Sequence, residues 1–168
     1  MSSITQFVKS LFRNEHHWQS VAFFRNVPIF HGLHSRQIGR LIQSMQKRTY
    51  RAGEILFEEG QVGKAVFIIE SGKVELTRRN NDGSPRRLGL VGSGQVLGEM
   101  ALLEQMERTA TAKVVEDGVI YLLYSATLEA LFVQQPAIGV KLLRNMSVML
   151  SALLRRTNQE LDKLGENR

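Results

Sequence analysis

Between Gln46 and Tyr124 the chain never sustains a helical repeat. Short apolar runs follow one another instead, separated by glycine and other turn residues, over 47–51, 55–57, 65–70, 73–78, 86–91, 96–97, 112–115 and 119–124. Strands this short cannot bury their apolar faces singly, so eight of them predict an all-β sandwich or barrel. Alternation is regular in 73–77, where Val74 and Leu76 point inward while Lys73, Glu75 and Thr77 point outward. Asn81-Asp82-Gly83 then supplies residues that tolerate positive φ, the chemistry of a hairpin tip. Arg78 and Arg79 precede this tip, and Arg86 and Arg87 follow it. Like charges opposed across strands repel. The cluster is therefore either a splayed, solvated hairpin end or a contact for a phosphate-bearing or acidic partner.

Helical spacing frames this β region on both sides. Ile4, Phe7, Val8 and Leu11 repeat at i, i+3, i+4 and i+7, the spacing of an amphipathic helix. Trp18, Val21 and Ala22 predict a second short helix that ends near Asn26, before Pro28. These N-terminal faces pack within the protein or a dimer, or, with Lys9, Arg13 and Arg25 beside them, meet an anionic membrane surface. Ser35 is the candidate N-cap of a third helix carrying Ile38, Leu41, Ile42 and Met45.

After the strands, Ser125 is the candidate cap of a short helix through about Phe132, and Pro136 suits the first turn of a long one. In that long helix Leu143, Met146, Leu150, Leu153, Thr157 and Leu164 fall on heptad a and d positions, interrupted by Glu160. The expectation is that its first half packs on the barrel and its second half pairs with a copy of itself in a homodimer. The organisation read from these patterns is an N-terminal helical extension over 1–26, a β domain over 27–135 and a C-terminal helix over 136–168.

Composition removes several function classes. The chain has 168 residues, 43% of them hydrophobic and none of them Cys. It can therefore bury one core, but it has no disulfide framework, Cys-based zinc site or iron–sulfur cluster. No uninterrupted apolar run approaches the ~20 residues of a membrane span. The N-terminus also lacks a signal peptide's apolar stretch, so a cytoplasmic protein without a transmembrane segment is expected.

The net charge is +6, with 7 basic and 1 acidic residues in 1–50 against 9 and 11 in 51–125. Basicity thus belongs mainly to the N-terminal segment, and attraction of an anion to the β region has to be local. All four His residues, His16, His17, His31 and His34, precede the first strand. A barrel metalloenzyme built on its own imidazoles is excluded. No nucleophile elbow or Gly-Lys-Ser/Thr loop is present, so the chain is not expected to be an enzyme.

The chemistry that remains is concentrated in Gly98-Glu99-Met100-Ala101-Leu102-Leu103 and Arg108-Thr109-Ala110-Thr111. Gly98 lets an anion approach the backbone, and a helix starting at Glu99 would present unpaired N–H groups. Arg108 would add a guanidinium fork that matches two phosphate oxygens. Glu99 beside a phosphate is repulsive unless it accepts a hydrogen bond elsewhere, for example from a sugar hydroxyl. Together these groups suggest a phosphorylated sugar. The bland alternative is a Gly turn, a surface Glu and a solvated Arg.

This stretch resembles the phosphate-binding cassette of the cyclic nucleotide-binding domain family, which includes catabolite activators, kinase regulatory subunits and nucleotide-gated channels. The resemblance runs from about Phe24 to about Leu154. It takes in Val27-Pro28-Ile29-Phe30, Ala52-Gly53-Glu54-Ile55-Leu56-Phe57-Glu58-Glu59-Gly60, Phe67-Ile68-Ile69-Glu70-Ser71-Gly72-Lys73-Val74, and Gly94 four residues before Gly98.

The resemblance implies a jelly-roll, double-stranded β-helix barrel with N-terminal helices and a long C-terminal helix. It also implies a bound cAMP or cGMP, with cAMP the preferred expectation. Gly98, Glu99, Met100, Ala101, Arg108 and Thr109 would hold the cyclic phosphate and ribose, and Ala110 and Leu97 would belong to the same site. Val74, Leu76 and Leu88 would wall the base pocket. In catabolite activators two hydroxyl residues of the long helix touch adenine; spacing from Pro136 puts Leu153 and Leu154 there, so Arg155 or Arg156 stacked on the base, or an apolar lid, would replace that contact.

The helix-turn-helix that follows the long helix in the DNA-binding members is absent from this sequence, so no specific DNA binding is expected. The function implied is a regulatory module that signals to an effector protein, not identified by the sequence, through movement of its C-terminal helix. Two alternatives remain: a nucleotide-independent scaffold of the same fold, and a nonspecific nucleic-acid binder acting through the basic N-terminal helices.

Overall fold

The computed structural model describes residues 19–99 and 106–165. The predicted helix at Ile4–Leu11, Trp18, and the cassette residues Met100 and Ala101 lie outside the described residues, as do the side chains of Glu160 and Leu164. All eight predicted strands form: β1 (Gln46–Tyr50), β2 (Ile55–Phe57), β3 (Ala65–Ile69), β4 (Lys73–Arg79), β5 (Pro85–Val91), β6 (Val96–Leu97), β7 (Thr111–Glu116) and β8 (Gly118–Tyr124). They build two four-stranded antiparallel sheets, ordered β1-β8-β3-β6 and β2-β7-β4-β5. That order is the double-sheet jelly roll.

The first sheet is covered on both faces, which explains why β3 is apolar throughout and buried at every position. Val66 and Ile68, with Tyr121 and Leu123 of β8, face the helices. Ala65, Phe67 and Ile69 turn the other way, into a barrel interior shared with Phe57, Val74, Val114, Ile120 and Leu122. The period-2 alternation of a strand thus feeds two separate cores.

The helical segment 19–25 buries Val21 and Phe24 in the outer core. The Phe24 ring meets Phe30 and Tyr121 edge-on, with centroids 5.1 and 4.8 Å away. This part of the basic N-terminal region therefore packs within the protein. A 3-10 turn, Pro28–Phe30, leads to α1 (Ser35–Ser44).

Ser35 is not its cap. His34 takes the N-cap position, where its backbone N–H donates to Gln37 Oε1 at 2.9 Å. Ser35 Oγ accepts instead from Arg25 Nη2 at 2.6 Å. Ser125 differs from expectation in the same way: Tyr124 is the N-cap of α2 (Ser125–Gln134), and Ser125 Oγ donates to the Lys64 carbonyl at 3.3 Å. Cap position is set by backbone φ and ψ, and in both cases these dihedrals place the boundary one residue earlier.

The long helix α3 (Pro136–Gly165) begins at the predicted proline. Its packed face is Ile138, Leu142 and Met146, all buried, with Met149 partly so. Asn145 Nδ2 adds bonds to the Ile29 and His31 carbonyls at 3.0 and 2.8 Å. Among the described side chains of the expected heptad stripe only Met146 is buried; Leu143 is 38% exposed and Leu153 45%. Positions 151–159 are exposed throughout.

By length and composition Pro136–Gln159 is long and apolar enough to cross a membrane, its most apolar 18-residue stretch having a mean hydropathy of 1.4. No such span was expected, because Lys141 and Arg144 interrupt the apolar run. Burial of Ile138, Leu142 and Met146 in the outer core accounts for one apolar face as domain packing.

Candidate functional site

Arg108 is the one buried charged side chain among the described residues, 6% exposed. Two loops fix its backbone: its N–H donates to the Gln61 carbonyl at 2.8 Å, and its carbonyl accepts from Gly60 N–H at 2.9 Å. The side chain turns inward. Nη2 donates to the Ala65 carbonyl at 2.6 Å and Nη1 to the Gly98 carbonyl at 3.1 Å. The guanidinium carbon stands 4.2 Å from the Phe57 ring centroid and 5.6 Å from that of Phe67.

No carboxylate pairs with it among the described residues. Burial pushes the guanidinium's pKa down, and the nearby Glu99 charge opposes that push. A buried charge is normally paired. Here its compensation comes from two carbonyls and an aromatic face, and three of its five N–H bonds have no partner among the described residues.

Gly98 is required by this arrangement. Its φ is +78°, and a Cβ there would overlap Arg108 Nη1. The guanidinium occupies the space that any other side chain would fill.

A cavity of about 390 Å³ opens over this group, within the size range of small-molecule sites. It gathers Leu76, Leu88, Leu97, Gly98, Glu99, Arg108, Thr109 and Ala110, which the sequence pattern had scattered over five segments. Val74 does not line it. That side chain is 1% exposed and packs in the barrel core with Val114 and Ile120: it shares the inward face of Leu76, but two residues along β4 that face no longer borders the cavity.

Leu88 reaches the cavity through a β-bulge. The register runs Leu76↔Gly89 and then Thr77↔Arg87, leaving Leu88 as the extra residue. The cavity also takes in residues not singled out from the sequence, among them Phe57, Val91, Gln95, Val96 and Glu107. Phe57 was visible only as part of an apolar strand run; its partner Arg108 is far away along the chain.

Leu153 of α3 completes the wall, and Leu153 also borders an adjoining groove of about 570 Å³. Arg155 and Arg156 line that groove and not the cavity itself. At the hairpin tip, Arg78 lies directly opposite Arg86. Glu59 approaches Arg78 Nε at 3.9 Å, and Glu75 meets Arg87 Nε at 2.9 Å. The repulsion there is partly relieved from within the domain. No group of three or more His, Asp or Glu residues suited to a metal ion occurs among the described residues.

The arrangement is a concave, largely apolar pocket with one cation at its base and two carboxylates, Glu99 and Glu107, in its wall. It suits a compact anion with an apolar body and a hydroxyl group. The model of the cyclic nucleotide-binding domain matches residues 47–135. The cyclic AMP receptor protein of Thermus thermophilus is 36% identical over 137 residues, 82% of this chain and 62% of that protein. The crystal structure of the Thermus thermophilus catabolite activator protein superimposes with a TM-score of 0.74, covering 82% of this chain and 63% of that one. The cGMP-dependent protein kinase egl-4 of Caenorhabditis elegans is 30% identical over 118 residues, 70% of this chain but 15% of the kinase. The chain thus spans less than two thirds of each of these relatives. By the family match over 47–135 and the identity to the Thermus thermophilus protein, the chain belongs to the cyclic nucleotide-binding domain family.

Proposed function

We propose that this chain is a cyclic nucleotide sensor that takes cAMP in preference to cGMP and has no catalytic role. The observation that carries the reading is Arg108: a buried guanidinium that no carboxylate pairs among the described residues, at the base of a cavity of nucleotide size. The cyclic phosphate sits against Arg108 and the Gly98–Ala101 backbone, Glu99 accepts from the ribose hydroxyl, and Leu76, Leu88 and Leu97 contact the rest of the ligand. The preference for cAMP rests on the relative most extensively matched above, which is named for cyclic AMP.

Signalling runs through α3. Its first half is anchored in the outer core, whereas Leu153, at the cavity wall, belongs to the exposed second half. A ligand that contacts Leu153 favours the helix position that covers the base, and the shift is limited by the ligand's preference for that state. The exposed second half, Leu154 included, pairs with a second copy of the chain, and an effector reads the position of the paired helices.

Calorimetry with cAMP and cGMP on the wild type and on Arg108→Ala tests the reading. Leaving a buried phosphate unpaired costs about 3–5 kcal/mol, so the variant is expected to lose more than a hundredfold in affinity. Equal affinity in the two proteins would remove Arg108 from this role. Absence of binding to either nucleotide by the wild type would favour the nucleotide-independent scaffold.

A further inference from the structure

We infer that Phe57, backed by Phe67, is the positioning residue of the anion clamp: its ring is a shelf that holds the Arg108 guanidinium ready while leaving the cation's N–H edges open. The inference rests on the nucleotide reading above and adds to it the group that readies the site.

A guanidinium buried beneath a pocket needs compensation before any ligand arrives. A carboxylate would provide it, but would also neutralise the charge and occupy the donors that a phosphate has to reach. An aromatic face does neither. It stabilises a cation through the ring quadrupole, and it covers the flat face of the guanidinium, whereas all five N–H bonds lie in the plane at its edge.

The distances fit this division of labour. The guanidinium carbon is 4.2 Å from the Phe57 centroid, inside the ~6 Å reach of a cation–π contact. Two edge donors go to the Ala65 and Gly98 carbonyls and fix the rotation of the fork in its plane. The Phe67 ring, 5.4 Å from that of Phe57 and inclined at 42°, buttresses the shelf. Phe57 ends β2 and Phe67 lies within β3, so the clamp is held by both sheets. The burial that depresses the Arg108 pKa makes the aromatic compensation stronger than it would be at a surface.

The test uses the full chain with Phe57→Leu, Phe57→Tyr, and a series carrying one to three ring fluorines at position 57. Fluorination weakens the ring quadrupole with little change in size, so a purely packing role would not follow it. The expected result is an affinity for cAMP that falls about five- to thirtyfold in Phe57→Leu, is retained in Phe57→Tyr, and declines stepwise with each fluorine. A Phe57→Leu affinity within twofold of wild type, or a flat fluorine series, would overturn the inference.

A ligand-free readout separates this outcome from failure of the nucleotide reading. The Arg108 Nε–H proton signal, assigned by its loss in Arg108→Lys, is expected to be displaced upfield by the Phe57 ring and to return toward the free-arginine position in Phe57→Leu. A wild type that binds neither nucleotide yet shows this displacement retains the shelf and discards the ligand. A wild-type signal at the free-arginine position overturns the shelf itself.

Discussion

Substituting Gly98 by alanine removes no charge, no donor and no part of Arg108, yet it is expected to disable the site. The new Cβ would overlap Arg108 Nη1 and stand 3.0 Å from its Cζ, with the Ala65 carbonyl 3.4 Å away on another side. Ordinary contact begins near about 3.5 Å, so the guanidinium has to retreat by roughly 1 Å or more. That displacement breaks the 3.1 Å bond to the Gly98 carbonyl and takes the fork out of register with a phosphate seated against the same backbone. A hydrogen bond to a charged group contributes about 1.5–3 kcal/mol, which converts to a loss of about ten- to a hundredfold in affinity.

Stability falls separately, because alanine at φ +78° costs about 1–2 kcal/mol. Calorimetry with cAMP measures the first effect and urea denaturation the second. Affinity within twofold of wild type in a folded Gly98→Ala protein would refute the claim that the glycine is there to admit the guanidinium.

The packed face of α3 predicts that Leu142→Ala, at a fully buried position, lowers the free energy of unfolding in urea by about 2–5 kcal/mol. Leu143→Ala, one residue on, should change it by less than about 0.5 kcal/mol. Leu154→Glu, at an exposed position of the proposed helix pair, should halve the mass seen by sedimentation if the wild type is a dimer, without altering its unfolding. Lys47 provides a pH test. Burial acts to lower its pKa, but its bonds to Glu70 and Tyr121 outweigh this and raise it above 10.5. A raised folded-state pKa contributes stability that is fully present below the unfolded value and is lost as pH rises through the folded one. The stability gap between wild type and Lys47→Met should therefore hold steady from pH 7 to about 10 and close above that; it should be under about 1 kcal/mol, because the ammonium is half exposed.

The strands were legible because glycine and turn residues bracket each apolar run, and bracketing is local information. Helix caps were less so. Ser35 and Ser125 have the right chemistry, but their hydroxyls are recruited by Arg25 and by the Lys64 carbonyl, and the caps fall on His34 and Tyr124. The heptad in α3 misjudged the packed face because Ile138, Leu142, Met146 and Met149 share the helical spacing of Leu143 and Leu150. Which of two apolar stripes meets the barrel depends on how the helix leaves Pro136, and no local pattern encodes that.

At the site, the described cassette residues Gly98, Glu99, Arg108, Thr109 and Ala110 line one cavity. The cavity walls were harder to read. Alternation does put Val74 on the same face as Leu76, but two residues along β4 that face is barrel core and not cavity wall, while a bulge in β5 brings Leu88 to the cavity. Phe57 escaped notice because an aromatic residue in an apolar run reads as packing until its cationic neighbour is known.

The pairing of β1 with β8 joins Gln46 to Leu122 and Tyr50 to Gly118. As the chain leaves the ribosome, its first strand therefore waits for nearly the whole barrel to be made before its neighbour exists, and its open edge is a place where another chain can attach. Contacts so distant along the sequence also slow folding. Five consecutive residues after the first helix, Gln46–Tyr50, of which only Tyr50 is buried, are well suited to that interval: Lys47 and Arg48 keep the unpaired edge charged until its partner arrives.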